Sequence, residues 1–261
     1  MRVLGYIDGM NFYEASKDKR WYPAGWCNWT QTLEAYCPGA DISVRYFTTL
    51  YAGRSQARIR RQKLHLLAMD KVARAEIVYG ACRERSLRCP ECKARLRCEC
   101  GCDRRFTEKM TDVNIAVRLL EDTIDDLFDR AYLVSSDVDL LPAVHAVLRR
   151  SRRAQVVVLV PPETEMADEF AELEMAYPGR SIARHLDLKK MRRFPDDLPI
   201  RWGMALPAHW REDAGRRPAM PDPGTPPCRP GCPVPWFEES IGYGTRRVSR
   251  TGIPVSQPRR S

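Results

Sequence analysis

Four aspartates stand where carboxylates could act together on one ion. Asp8 ends an apolar segment near the N-terminus. Asp137 and Asp139 directly follow a second apolar segment, and Asp112 opens the amphipathic segment before it. Clustered carboxylates are costly unless a cation neutralises them, and Mg²⁺ or Mn²⁺ is the natural ion for such oxygen ligands. A bound divalent ion makes water more acidic and polarises a phosphoryl oxygen, so the pattern predicts phosphodiester hydrolysis.

Helix capping is the competing interpretation of single aspartates in this set. Asp is a favoured N-cap, and Asp112 and Asp139 each precede an apolar helical pattern. Asp8 fits that interpretation less well. It is followed by Gly9 and Asn11, which we read as a tight turn directly after a buried strand.

A cysteine-rich segment suggests a second, structural metal. Its six cysteines are Cys82, Cys89, Cys92, Cys98, Cys100 and Cys102. Cys89 and Cys92 form a Cys-x₂-Cys pair, which predicts half of a Cys₄ Zn²⁺ site. Spacing does not decide the second pair; we favour Cys98 with Cys102 and keep Cys100 as the alternative. Free thiols, a redox pair and an iron–sulfur cluster are the other interpretations.

The elements that must position these residues alternate along the chain. Short apolar segments predict strands at 2–8, 42–51, 75–79, 131–136, 155–160 and 181–183. Segments with helical periodicity fall at 29–36 (with Thr30 as N-cap), 56–72, 111–128, 140–149 and 167–175. Such alternation predicts an α/β fold with a mostly parallel sheet covered on both faces. Ligands bind beyond the carboxyl ends of such strands, where Asp8 and Asp137 fall.

Composition sets the limits of the folded part and the class of partner. Lys and Arg number 43 against 34 Asp and Glu, a net charge of +9 that favours a polyanion such as nucleic acid. Of the 20 prolines, 12 lie in residues 199–261. We therefore expect a folded domain over 1–195, with a Cys-rich insertion at 82–106, and a largely disordered Pro-rich basic tail at 196–261. No segment predicts a membrane span or a signal peptide, so a cytoplasmic protein is expected.

Five short motifs occur in the same order as in the NYN domain, which the chain resembles over residues 1–185. They are YIDGMNFY (6–13), RYFT (45–48), RQ (61–62), EK (108–109) with Asp112, and SSDVDLLP (135–142). NYN domains are PIN-like nucleases, and the resemblance is to their LabA/DUF88 branch. It implies a Rossmann-like three-layer sandwich, a metal-dependent endoribonuclease activity, and RNA as the partner. Some members also carry a Cys-containing insertion before the Glu-Lys motif.

The resemblance also implies roles for individual residues. The catalytic Mg²⁺ or Mn²⁺ ligands would be Asp8, Asp112, Asp137 and Asp139. Asn11 would orient Asp8 or a substrate phosphate. Contacts to RNA would come from Arg61, Gln62, Lys109, Arg118 and Ser135. Ser136 stands where the family often has Gly, and Arg118 stands where many members carry a further Asp.

Two other functions fit the same residues. Arg118 could weaken metal binding, which favours a non-catalytic RNA-binding protein that retains the fold. A DNA-directed nuclease would use the same aspartates. Association into a homo-oligomer stays open.

Overall fold

The computed structural model describes residues 1–16, 26–51, 56–88, 104–195 and 198, with only the backbone at 56–58 and 104–106. The cysteines at 89–102 and the tail beyond residue 198 lie outside the described residues. Within the described ranges, no helix is both long enough and apolar enough to cross a membrane.

Six strands form one sheet in which every neighbouring pair is parallel. They are β1 (Arg2–Asp8), β2 (Asp41–Thr48), β3 (Glu76–Tyr79), β6 (Arg130–Val134), β7 (Gln155–Val160) and β8 (Ser181–His185). Their order is β3-β2-β1-β6-β7-β8, so β1 is central and pairs with strands from both halves of the chain. The parallel sheet predicted from the alternating pattern is confirmed.

Helices cover both faces of this sheet. They are α1 (Gly9–Ser16), α2 (Trp29–Glu34), α3 (Gln56–Lys71), α4 (Thr111–Ile124), α5 (Leu141–Arg150) and α6 (Asp168–Ala176). The core has two parts: Ile7 and Val134 lie with α1, α2 and α3 on one face, and Tyr6 and Leu133 lie with α4, α5 and α6 on the other. Successive residues of one strand thus enter different layers, as the pleat requires. The result is a three-layer sandwich.

Three local predictions were wrong. The residues after Asp8 form helix α1 rather than a tight turn. The N-cap of α2 is Asn28, whose side chain accepts a hydrogen bond from Gln31 N at 3.1 Å. Thr30 instead donates to Ala73 O at 2.8 Å, so its hydroxyl joins α2 to the loop after α3. Helix α4 ends at Ile124 because the chain turns at Asp126, which has φ 51°.

A two-stranded ribbon was not predicted. β4 (Ala81–Ser86) and β5 (Arg104–Lys109) pair antiparallel, apart from the main sheet. β4 is rich in charged residues and lacks the apolar alternation by which a half-buried strand is recognised. The ribbon flanks the cysteine-rich residues and returns the chain to the start of α4.

Candidate active site

Asp8 lies at the centre of the candidate site, at the carboxyl end of β1. The parallel register pairs Ile7 with Val134, so the residues that follow, Asp8 and Ser135, emerge side by side. Asp8 is only 3% exposed. One carboxylate oxygen accepts a hydrogen bond from Asn11 N at 3.0 Å, and the other accepts from Ser135 Oγ at 3.0 Å. The carboxylate is thereby held in one orientation.

Asn11 joins the first helix to the turn after β6. Its Oδ1 accepts hydrogen bonds from Ser136 N at 3.0 Å and Ser136 Oγ at 3.1 Å. Ser135 Oγ also accepts from Asp137 N at 3.1 Å. The side chains of Asn11 and Ser135 thus fix the backbone that carries Asp137, and Ser136 adds a hydroxyl contact that a glycine could not make.

The capping interpretation applies to Asp137 and not to Asp139. Asp137 Oδ1 accepts from Asp139 N at 2.9 Å, at the start of a 3₁₀ turn formed by Val138–Leu140. Asp112 lies in the first turn of α4, whose N-cap is Met110 in the left-handed conformation with φ 78°. Neither Asp112 nor Asp139 therefore serves as the N-cap of an α-helix.

Glu108 belongs to the same acidic group, although sequence reasoning gave it no role. It lies at the end of β5, and its carboxylate accepts a hydrogen bond from Thr111 Oγ1. Burial raises the pKa of Glu108, and the charges of Asp112 and Glu14 raise it further. The signal was present in the sequence, since Glu108 opens the Glu-Lys motif.

Burial and the repulsion between neighbouring carboxylates both raise pKa values in this acidic group. Burial raises the pKa of Asp8 to about 7, against the opposing hydrogen bonds from Asn11 and Ser135, and the charges of Asp112 and Glu108 add to the rise. Burial also raises the pKa of Asp112; Asp137 and Asp139 contribute, whereas Lys109 opposes the rise. Asp112 therefore lies within electrostatic reach of each of the other three predicted aspartates.

The chemistry of this donor set fits a hard divalent cation, because it consists of carboxylate oxygens that destabilise one another without one. The positions of these side chains do not form a complete set of metal ligands. Among the described residues, no three His, Cys, Asp or Glu side chains are grouped so that they could hold one ion. We call the group formed by Asp8, Glu108, Asp112, Asp137 and Asp139 the acidic mouth; it lies where β1 and β6 end and α4 begins.

A close backbone approach explains the glycine after Asp8. A Cβ atom at Gly9 would lie 2.7 Å from Phe47 O and 2.5 Å from the Tyr46 ring. Only glycine lets α1 start this close to β2. The Asp8-Gly9 pair therefore places the carboxylate at the strand end and turns the chain within one residue.

The predicted RNA-contacting residues fall into different settings. Gln62 accepts from Tyr51 N at 2.7 Å and donates to Thr49 O at 2.6 Å, so its amide holds the loop after β2. Arg118 forms ion pairs with Glu76 at 2.7 Å and Glu121 at 3.4 Å. It lies about 9 Å along α4 from Asp112, toward the opposite edge of the sheet. Lys109 is exposed beside the acidic mouth, and Arg61 is half-buried on α3.

The predicted zinc ligands cannot be placed. Cys89, Cys92, Cys98, Cys100 and Cys102 all lie outside the described residues. Cys82, which is described, is a free thiol on β4.

Comparison with known proteins identifies the family. Residues 6–174 match the NYN domain, and the chain belongs to this family of PIN-like nucleases. No curated protein matches. A solved structure from Vibrio parahaemolyticus, a protein of unknown function, is similar over 73% of this chain and 96% of its own, with 17% identity and a TM-score of 0.44.

Proposed function

We propose that this chain is a divalent-metal-dependent endoribonuclease of the LabA/DUF88 type that acts in the cytoplasm. The observation that carries the proposal is the buried Asp8 carboxylate, which is oriented by Asn11 and Ser135 and lies within electrostatic reach of Asp112 and Glu108. A site that raises the pKa of its own carboxyl group without an evident structural gain is typical of catalysis.

In this proposal Mg²⁺ or Mn²⁺ would draw together the carboxylates of Asp8, Asp112, Asp137 and Asp139, with Glu108 added, because no three of these described residues form a ligand group without the ion. The ion, when bound, would supply an acidified water and a Lewis acid for the phosphodiester. Asn11 and Ser135 position the Asp8 carboxylate and the Asp137 turn. Lys109, exposed at the mouth, would stabilise negative charge on the phosphate.

Cleavage of a labelled single-stranded RNA tests this directly. Wild-type protein should cleave it with Mn²⁺ or Mg²⁺ and lose activity in excess EDTA. Asp8→Asn should lose at least 100-fold in rate, since orienting and charge-bearing groups commonly contribute that much. Asp70→Asn is the matched control, because Asp70 is an exposed residue of α3 that pairs only with Lys71 among the described residues. Full activity of Asp8→Asn, or activity in EDTA, would refute the proposal.

A non-catalytic RNA-binding role is the second candidate. It is favoured by the open arrangement of the carboxylates, of which no three described members form a ligand group. Binding of RNA without cleavage in any divalent ion would support it, and cleavage of DNA in preference to RNA would redirect the proposal to a DNA nuclease.

We also propose that Cys89, Cys92, Cys98 and Cys102 bind one structural Zn²⁺, with Cys100 as the alternative ligand. The supporting observation is that β4 and β5 pair with each other immediately outside this segment, so the cysteines belong to one hairpin connection. A Zn²⁺ content near one per chain, lost in Cys89→Ser, is the expected result. Absence of zinc from the purified protein would rule the site out.

We further propose that the Pro-rich tail at 196–261 is a separate, largely disordered segment.

A further inference from the structure

The β4–β5 ribbon has one face of distinct charge. Residues at directly opposite register positions share a face, and residues two apart on a strand do so too. Lys109 pairs with Ala81, Arg83 with Thr107, and Arg85 with Arg105. The other face has Cys82, Glu84 and Glu108. The acidic and basic residues of β4 are therefore sorted to opposite faces.

Lys109, Arg83 and Arg85 form a row, which we call the basic row. Lys109 lies opposite Ala81, and Arg83 and Arg85 follow at steps of two residues along β4. Each step corresponds to about 6.8 Å along the ribbon, and the whole row to about 14 Å. All three are exposed. This spacing resembles that of successive phosphates in an extended single strand of nucleic acid.

The basic row begins at the acidic mouth. Lys109 is close enough to Asp112 to oppose the rise in the pKa of that carboxyl group. Glu108, on the opposite face of the same strand end, accepts a hydrogen bond from Thr111 of α4. The row therefore leads outward from the candidate active site rather than lying elsewhere on the surface.

The base of the ribbon is fixed in position. Gly80 N donates to Thr48 O at 2.8 Å. A Cβ atom at Gly80 would lie 2.8 Å from Lys109 O and 2.5 Å from Thr111 Oγ1. Since β3, the ribbon and α4 meet here without space for a side chain, the direction of the basic row relative to Asp112 is set by the fold.

Within the part of the chain that the structure describes, the arginines of the row have no acidic partner. Among the described residues, neither Arg83 nor Arg85 forms an ion pair with an acidic side chain. The two exposed arginines are therefore available to contact an external polyanion.

We propose that the basic row binds the phosphate backbone of single-stranded RNA and guides it to the acidic mouth. The choice of RNA rests on the proposed function. The row contacts phosphates and not bases, so binding is sequence-tolerant and salt-dependent. Its two arginines, Arg83 and Arg85, act on affinity for long substrates and not on the chemical step.

The test is the salt dependence of binding to a labelled, unstructured oligoribonucleotide in EDTA, where no metal-dependent cleavage occurs. The slope of log association constant against log salt concentration is negative. In Arg83→Gln/Arg85→Gln it should become shallower by about 1.4, because two phosphate contacts are lost. The wild-type advantage in affinity then changes by about 25-fold for each tenfold change in salt. In Mn²⁺, the double variant should show a raised KM for this RNA and an unchanged kcat.

Arg152→Gln/Arg153→Gln is the matched control. It removes the same charge from two exposed arginines before β7, at the opposite edge of the sheet, and should leave the slope unchanged. An unchanged slope in the ribbon variant, or an equal loss in the control, would overturn the proposal. Displacement of the RNA by polyglutamate as readily as by unlabelled RNA would assign the face to acidic proteins instead. Because binding is measured without metal, failure of the nuclease assignment would leave this result standing.

Discussion

At the scale of single residues, the charge of Asp8 destabilises the metal-free fold, although the proposed metal site requires that charge. Burial, together with the charges of Asp112 and Glu108, raises the pKa of the Asp8 carboxyl group to about 7. A carboxyl group with a raised pKa stabilises the fold at low pH and loses that contribution as pH rises through the raised value. In metal-free protein, Asp8 therefore weakens the fold above pH 7.

We predict that Asp8→Asn stabilises the metal-free protein at pH 8, by up to about 4 kcal/mol for a shift of about three pKa units. The difference should disappear near pH 4, where the wild-type carboxyl group is protonated in the folded state. Thermal unfolding in EDTA at the two pH values measures it. Mn²⁺ should then raise the Tm of the wild type and leave that of Asp8→Asn unchanged. A variant that is less stable than wild type at pH 8 would contradict this account.

Arg118 occupies a position for which the family pattern suggests a role and the structure shows ion pairs. The motif comparison puts this residue where a carboxylate is common, which suggested an effect on metal or RNA. Its guanidinium contacts Glu76 and Glu121. Glu121 lies at helical spacing, three residues along α4, whereas Glu76 is 42 residues away and could not be inferred from the sequence. Its position is explained by charge pairing on the sheet side of α4.

Replacing Arg118 with Asp should therefore affect stability and not metal binding. The new carboxylate would face Glu76 and Glu121, and the lost ion pairs and the repulsion together should cost about 1 kcal/mol, as is usual for half-exposed pairs. The Mn²⁺ titration midpoint should match that of wild type. A tighter metal affinity in Arg118→Asp would show that this position does reach the site.

At the scale of elements, a buried ion pair attaches α4 to the sheet. Asp122 is 2% exposed; its two carboxylate oxygens accept hydrogen bonds from Arg45 of β2, both at 2.7 Å. Tyr6 of β1 donates to the same carboxylate at 2.6 Å. The periodicity of α4 predicted a helix here, but Asp122 falls among its apolar positions and carries no signal of its partner.

We expect Asp122→Ala to cost about 3–5 kcal/mol in unfolding free energy, because it leaves the Arg45 guanidinium partly buried without its bidentate partner. Asp125→Ala, at the exposed end of the same helix, should change stability by less than about 0.5 kcal/mol. Urea denaturation of both variants measures the difference. If the two variants lost equal stability, the pair would not be what holds α4.

The elements also show where sequence reasoning succeeds and where it fails. β1 and β7 were predicted to the residue, since a run of apolar residues in a doubly covered sheet is a strong local signal. The β4–β5 ribbon was missed because its strands are polar and its pairing joins residues up to 28 positions apart. Asp8 and Ser135 meet because β1 and β6 are neighbours in the sheet. A local sequence pattern does not contain the order of the strands.

At the scale of the whole molecule, the segment at 192–194 is hydrogen-bonded to the segment just before α2. Phe194 N donates to Trp26 O at 3.0 Å, and Asn28 N donates to Arg192 O at 2.7 Å. His65 lies between the rings of Trp26, Tyr46 and Phe194. Burial lowers its pKa to about 4, although a hydrogen bond with the Cys27 backbone opposes the shift.

This lowered pKa predicts a loss of stability in mild acid. The unfolded chain binds a proton at His65 below about pH 6.5, whereas the folded protein does not until about pH 4, so stability falls as pH decreases through that window. The loss should reach about 3 kcal/mol by pH 4. His65→Gln should remove this part of the acid sensitivity, as measured by unfolding at pH 7 and pH 4.5. An identical pH dependence in variant and wild type would mean that another group is responsible.

The central place of β1 has a consequence for how the protein is made. β1 is synthesised before its neighbour β6, which follows more than 120 residues later. A nascent chain that lacks β6 holds Asp8 without Ser135 and Asp137. The candidate site therefore cannot assemble before β6 has left the ribosome.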